Sequence, residues 1–216
     1  MEIFPVVLIL SSYLVGSFPT AFLAGRWFGK KNITRTGSGS SGASNVWHKV
    51  SRKVAVGVIL VDVIKGSLPV IVCRIFSLDI PVQVACSLAV LAGHNWSVFL
   101  RFLGGRGLAT IVGFLILLAP KELAISGILV IAGILLKNVP LFAVLAIFSI
   151  PVFSLYFGRE PVILLGEIIM VFLVMAKRLE ANKGFGVAGG KWLEVMGCRL
   201  LFDRDIRDRE TWINRG

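Results

Sequence analysis

The residues that could do chemistry fall in three groups. The first is a run of small residues, Arg35-Thr36-Gly37-Ser38-Gly39-Ser40-Ser41-Gly42-Ala43-Ser44-Asn45, in a segment with no acidic residue. Seven basic residues surround it: Arg26, Lys30, Lys31, Arg35, Lys49, Arg52 and Lys53. Glycines let backbone N–H groups approach an anion closely, and the serine hydroxyls and the Asn45 amide add donors. Such a stretch can cradle a phosphate at a membrane surface, or it can be a flexible Gly/Ser linker with topology charges beside it. The second group is Asp62 and Lys65, three apart on one helix face inside an apolar run. Each is costly in lipid, so both should turn inward and pair with each other or with loop groups, as support for a polar site or as a structural ion pair locking the helices.

The third group is Gly93-His94-Asn95-Trp96-Ser97, followed by the turn Gly104-Gly105-Arg106-Gly107. His94 and Asn95 both donate and accept. The glycines around Arg106 leave its guanidinium open to grip an anion with two parallel bonds. One such turn is weak; two basic glycine turns beside polar residues in apolar spans together indicate a phosphate site at the membrane interface. The chain has no Gly-x-Ser-x-Gly elbow, no Walker loop and no His-x-x-x-x-Asp pair. Only His48 and His94 are histidines, so a His-rich metal site is excluded, and no cofactor is indicated. Any transfer chemistry would rest on positioning and on stabilising charge.

These groups must be held by membrane helices. The 216 residues are 56% hydrophobic and 16% charged, with a mean hydropathy of +0.86, above the range of soluble domains. The net charge of +11 does not indicate nucleic acid, because the cations flank apolar segments. Three scattered cysteines give no disulfide framework. Apolar segments occur at residues 4–24, 54–75, 81–100, 108–120, 123–136, 139–157 and 162–176, of which the fifth, the fourth and the last are short for a span. With the N-terminus outside, 19 of the 23 Lys and Arg residues fall on the inner side. The sequence therefore predicts an all-α integral membrane bundle of seven transmembrane helices, N-terminus outside and C-terminus cytosolic. Residues 1–176 form the membrane domain. Residues 177–216 form a mixed-charge tail with an interfacial helix near 191–202.

In their order these motifs resemble the PlsY family, the bacterial acyl-phosphate glycerol-3-phosphate acyltransferases. Gly16-Ser17-Phe18-Pro19 is similar to the family's Gly-Ser-x-Pro, and Gly37 through Asn45 to its Gly-Ser-Gly-Asn-x-Gly-Ala-Thr-Asn loop. Asp62, Lys65, Gly66 and Pro69 match Asp-x-x-Lys-Gly-x-x-Pro. Gly93-His94 through Ala109-Thr110 resembles the family's second glycine signature, with Arg106 in place of Lys. Ser40 stands where the family has Asn, His48 where it has Arg, and Phe172 and Met175 where it has a late His and Asn.

The resemblance implies transfer of a fatty acyl group from acyl phosphate to glycerol 3-phosphate in the bacterial cytoplasmic membrane, without a cofactor. Its partners would be these two substrates and membrane lipids, not nucleic acid. It makes Ser38, His94 and Arg106 the catalytic residues. Gly37, Gly39, Ser40, Gly42, Asn45, His48, Gly104, Gly105 and Lys177 would bind substrate, with Asp62 and Lys65 in support. The alternative is a member altered in catalysis that binds a phosphorylated lipid or metabolite as a regulator or scaffold.

Overall fold

The computed structural model describes residues 3–36, 39–180, 192–205 and 207. Among them the secondary structure is helical throughout: α1 Ile3–Ser17, α2 Thr20–Gly29, α3 Ala43–Lys49, α4 Arg52–Ile75, α5 Ile80–Asn95, α6 Leu108–Leu118, α7 Pro120–Leu135, α8 Val139–Tyr156, α9 Pro161–Glu180 and α10 Trp192–Phe202. Four stretches are long and apolar enough to cross a membrane: Ile3–Gly29, Arg52–Ile75, Ile80–Leu100 and Val139–Tyr156. α9 has the length, with 20 residues, but carries Glu167, Lys177, Arg178 and Glu180. α6 and α7 have 11 and 16 residues. At about 1.5 Å per residue they reach roughly 17 and 24 Å, short of a hydrocarbon core of roughly 30 Å.

Two proline positions differ from the sequence expectation. Residues 4–24, expected as one helix, break at Phe18-Pro19 into α1 and α2. Proline has no N–H to continue the ladder, and it pushes the preceding residue out of helical geometry. Pro120, expected to close the fourth apolar segment, instead sits at the start of α7, where its missing N–H costs nothing.

The helices pair closely through glycine. A Cβ at Gly16 would fall 2.0 Å from the Val90 carbonyl oxygen, and one at Gly93 2.0 Å from that of Tyr13. α1 and α5 therefore touch backbone to backbone. Gly66 and Gly113 bring α4 and α6 together in the same way, against Thr110 and Val63. Small residues at a crossing give dense packing where apolar lipid offers no hydrophobic drive. The bundle centre is filled by Val70, Leu91, Phe114, Ile147, Met170 and Val174. Leu60, Ile64, Ile128 and Leu145 point outward, as lipid contact requires.

Contacts at the helix ends fix their directions. Phe4 stacks edge-on against Phe76, just before α5, at 4.9 Å. Ser97, just after α5, donates to the Ser17 carbonyl at the end of α1. So α1 and α5 run the same way. Gly66 meets Thr110 near the start of α6, and Arg74 Nη2 donates to the Leu117 carbonyl near its end, at 2.6 Å. So α4 and α6 also run together, and the short link between Ile75 and Ile80 sets them opposite to α1 and α5. Trp96 bonds Glu180 at the end of α9, and Arg178 bonds the Pro140 carbonyl at the start of α8. At the other end of the bundle, Arg159, just before α9, holds Glu122 at the start of α7 with two bonds of 2.5 and 2.9 Å. The polar motifs all gather at one end.

Candidate phosphate-binding site

The break at Phe18-Pro19 opens the site. The break takes the Ser17 and Phe18 carbonyls out of the i→i−4 ladder; the Phe18 carbonyl accepts from the Thr20 N–H at 3.0 Å, and polar side chains reach both carbonyls. Lys65 Nζ donates to the Phe18 carbonyl at 3.3 Å, and Ser97 Oγ to the Ser17 carbonyl at 2.5 Å. Lys65 also lies 2.8 Å from Asp62 Oδ1. That contact is an ion pair by distance but lacks hydrogen-bond alignment at the carboxylate oxygen. His94 Nδ1 is 3.9 Å from the same oxygen, too far for a hydrogen bond. Ser17, Ser41, Asp62, Lys65, His94 and Ser97 thus line one small polar cleft where α1, α2, α4 and α5 converge.

The two glycine segments meet above this cleft. The Ser41 N–H donates to the Gly104 carbonyl at 3.3 Å, and the Gly105 N–H to the His94 carbonyl at 3.1 Å. Gly42, at the N-terminus of α3, faces Gly105. Gly105 lies directly under the His94 imidazole: a Cβ there would fall 2.2 Å from Nε2. A Cβ at Gly104 would fall 2.1 Å from the Asn95 carbonyl oxygen. Gly107 turns the chain into α6 with φ of +74°, a left-handed conformation suited to glycine. Between them Arg106 is buried. Its Nε donates to Asp203 Oδ1 at 2.8 Å, and its buried Nη2 has no hydrogen-bond partner among the described residues.

The other expected residues divide. The Asn45 Nδ2 donates to the carbonyls of Ile33, Thr36 and Ser40, at 2.7, 3.0 and 3.0 Å. Asn45 therefore shapes the loop from inside, and its donors are spent on the backbone. Ser40 is buried beside it, and Gly39 has φ of +70°. His48 is exposed in the last turn of α3, away from the cleft lining. Lys177 is buried, 5.3 Å over the Trp96 ring and 3.6 Å from Glu180, with the Phe102 carbonyl at 3.5 Å. It packs behind the His94–Ser97 turn, outside the cleft lining. Gly37 and Ser38 lie outside the described residues. Among the described residues no group of three or more His, Cys, Asp or Glu could hold a metal ion.

Three contributors escaped the sequence reading. Ser17 belongs to a quoted motif, but nothing marks its carbonyl as a partner of Ser97. Tyr13 donates to the Trp96 carbonyl at 2.7 Å and braces the same turn. Asp203 carries no local signal, because it reaches the site through Arg106, 97 residues away in sequence.

What the fold and the cleft define together is a helical membrane protein whose described glycine-rich and polar motifs meet at one end of the bundle. The model of the family described as glycerol-3-phosphate acyltransferase matches residues 6–183. The chain belongs to that family. It is 35% identical to glycerol-3-phosphate acyltransferase 5 of Dehalococcoides mccartyi, over 100% of this chain and 95% of the relative. It is 38% identical to the glycerol-3-phosphate acyltransferase of a Synechococcus strain, over 78% and 85% of the two chains. The fold is similar to a crystal structure of PlsY, an integral membrane glycerol 3-phosphate acyltransferase, in its glycerol 3-phosphate form. The TM-score is 0.72 at 28% identity, covering 82% of this chain and 88% of that one. The lysophosphatidic acid form of PlsY matches equally well.

Proposed function

We propose that the chain transfers a fatty acyl group from acyl phosphate to a hydroxyl of glycerol 3-phosphate, giving lysophosphatidate and inorganic phosphate. The bond formed joins the glycerol oxygen to the acyl carbon. The bond broken joins that carbon to the phosphate oxygen, and the hydroxyl proton balances on the released phosphate. Both reactants are anionic, so cations and N–H donors are of more use than a strong base. The observation that carries the reading is the meeting of the two glycine segments at Ser41 and Gly104. It brings the loop, through Ser41, to the cleft of His94, Asp62 and Lys65, and it brings the Arg106 turn there through Gly105, which packs on His94.

Arg106 Nη2 would hold one phosphate. Loop N–H groups with Ser38 would meet the second phosphate or the developing oxyanion, worth about 2.7–4 kcal/mol per well-placed donor. His94, packed on Gly105, orders the floor, and the buried Lys177 adds positive charge behind the His94–Ser97 turn. Seven spans, with the N-terminus outside and the site at the cytosolic face of a bacterial inner membrane, suit the alternating helix directions and the bias of basic residues toward the site end. α6 and α7, being short, would then lie where the bilayer thins.

An acyl-transfer assay in detergent or bilayer tests this, with acyl phosphate and glycerol 3-phosphate supplied and lysophosphatidate measured. Absence of product from folded protein that glycerol 3-phosphate still protects against heat would refute the enzyme and leave a phosphate-binding regulator. That second reading is weaker, because relatives matching nearly the whole chain are named as acyltransferases. A cysteine-accessibility map that puts residues 35–45 outside would overturn the topology.

A further inference from the structure

We infer that Asp203, in the C-terminal segment, is a positioning residue for the phosphate-binding arginine, so that this segment completes the site. The inference rests on the proposed role of Arg106. Residues 192–205 lie outside residues 6–183, to which the family model applies. They nevertheless dock firmly on the bundle. α10 packs across α8 and α9, with Val195 and Cys198 buried. Arg178, almost wholly buried, reaches from α9 with Nη1 to the Leu200 carbonyl at 2.7 Å and with Nη2 to the Pro140 carbonyl at 3.2 Å. Arg199 answers from α10, donating to the Leu179 carbonyl at 2.9 Å and to Asp205 at 2.5 Å.

This docking delivers Asp203 to the Gly104–Gly107 turn. α10 ends at Phe202, and the Asp203 N–H closes onto the Arg199 carbonyl at 3.1 Å. Asp203 then takes a left-handed φ of +57°, which aspartate tolerates better than most residues. Its carboxylate accepts from Arg106 Nε at 2.8 Å. A guanidinium has five N–H donors in a rigid plane. Fixing Nε fixes that plane and leaves the buried Nη2 without a partner among the described residues. The carboxylate thus holds one edge of the fork and leaves a donor for a phosphate. Without it, phosphate binding must carry more of the cost of ordering a long side chain.

The test compares R106A, D203A, D203N, D203E and the double variant R106A/D203A in the full-length protein. It reads kcat, KM for each of the two substrates, and thermal stability. The expected result is that D203A raises KM for the same substrate as R106A, by about threefold to tenfold, with kcat changed less. D203E recovers part of the loss, and the double variant is no worse than R106A. D203N replaces D203A if the alanine variant does not fold. A KM raised by R106A but not by D203A or D203N, even with lowered stability, makes the segment a mere anchor and overturns the inference. A KM lowered in D203A or D203N also overturns it, since the carboxylate would then compete with phosphate. An unchanged KM in R106A refutes the role of Arg106 itself.

Discussion

Replacing Gly105 by alanine tests whether the site depends on the contact between the glycine turn and His94. The added Cβ would fall 2.2 Å from His94 Nε2 and about 3.0 Å from Cε1. Ordinary contact at that Cβ needs roughly 3.5 Å or more. The imidazole must therefore retreat by about 1 Å, or swing away. The atom in the way is the far end of a side chain, so the turn itself can survive. A displacement near 1 Å in an ordered site can lower activity about a hundredfold. We expect kcat/KM for acyl transfer to drop by about that factor in G105A, while the purified protein keeps its melting temperature within a few degrees. G127A is the control. Its added Cβ meets nothing within 4 Å, and a helix interior gains about 0.5–1 kcal/mol from the exchange. A folded G105A enzyme with kcat/KM equal to that of G127A would refute the claim that His94 must rest on a bare glycine.

Arg106→Ala should raise KM for a phosphorylated substrate by more than tenfold, since a bond to a charged group is worth about 1.5–3 kcal/mol. Lys177→Ala should do less, because Lys177 already faces Glu180, the Phe102 carbonyl and the Trp96 ring. Equal effects in a kinetic titration would contradict this division. Lys65→Met strands the buried Asp62 carboxylate and should destabilise the fold by about 3–5 kcal/mol. Adding Asp62→Asn should recover much of the melting temperature, and a double variant no more stable than K65M would show that the pair is not the cause. Glu122→Ala unpairs Arg159 at the end of the bundle far from the site. It should lower stability by about 2 kcal/mol and leave KM for both substrates unchanged, and a shift in either KM would show that the two ends are coupled.

Much of the site was readable because its residues carry an intrinsic physical demand. Asp62 and Lys65 cannot remain unpaired in an apolar helix, so they must pair with each other or with nearby loop groups; they lie 2.8 Å apart, and Lys65 also reaches the Phe18 carbonyl. The Arg106 turn and the small-residue loop were legible as places where backbone can come close to an anion, and the two do meet. The loop also shows where such reading stops. Asn45 looks like a ligand donor in sequence, but its amide serves three loop carbonyls. A primary amide suits either task equally, and only the positions of those carbonyls decide between them.

Composition and periodicity by themselves determined the helical class, the membrane setting, the charge bias between the two ends, and the C-terminal helix, expected near 191–202 and found at Trp192–Phe202. All of these follow from hydropathy and local backbone preference, which each segment carries within itself. Tertiary structure alone decided that the Phe18-Pro19 break would be stitched by Lys65 and Ser97, that His94 would rest on Gly105, and that Asp203 would reach Arg106. Each joins groups far apart in sequence. Which distant donor meets an open carbonyl or guanidinium depends on how closely the glycine crossings let the helices approach, and that distance is set only once the bundle has formed.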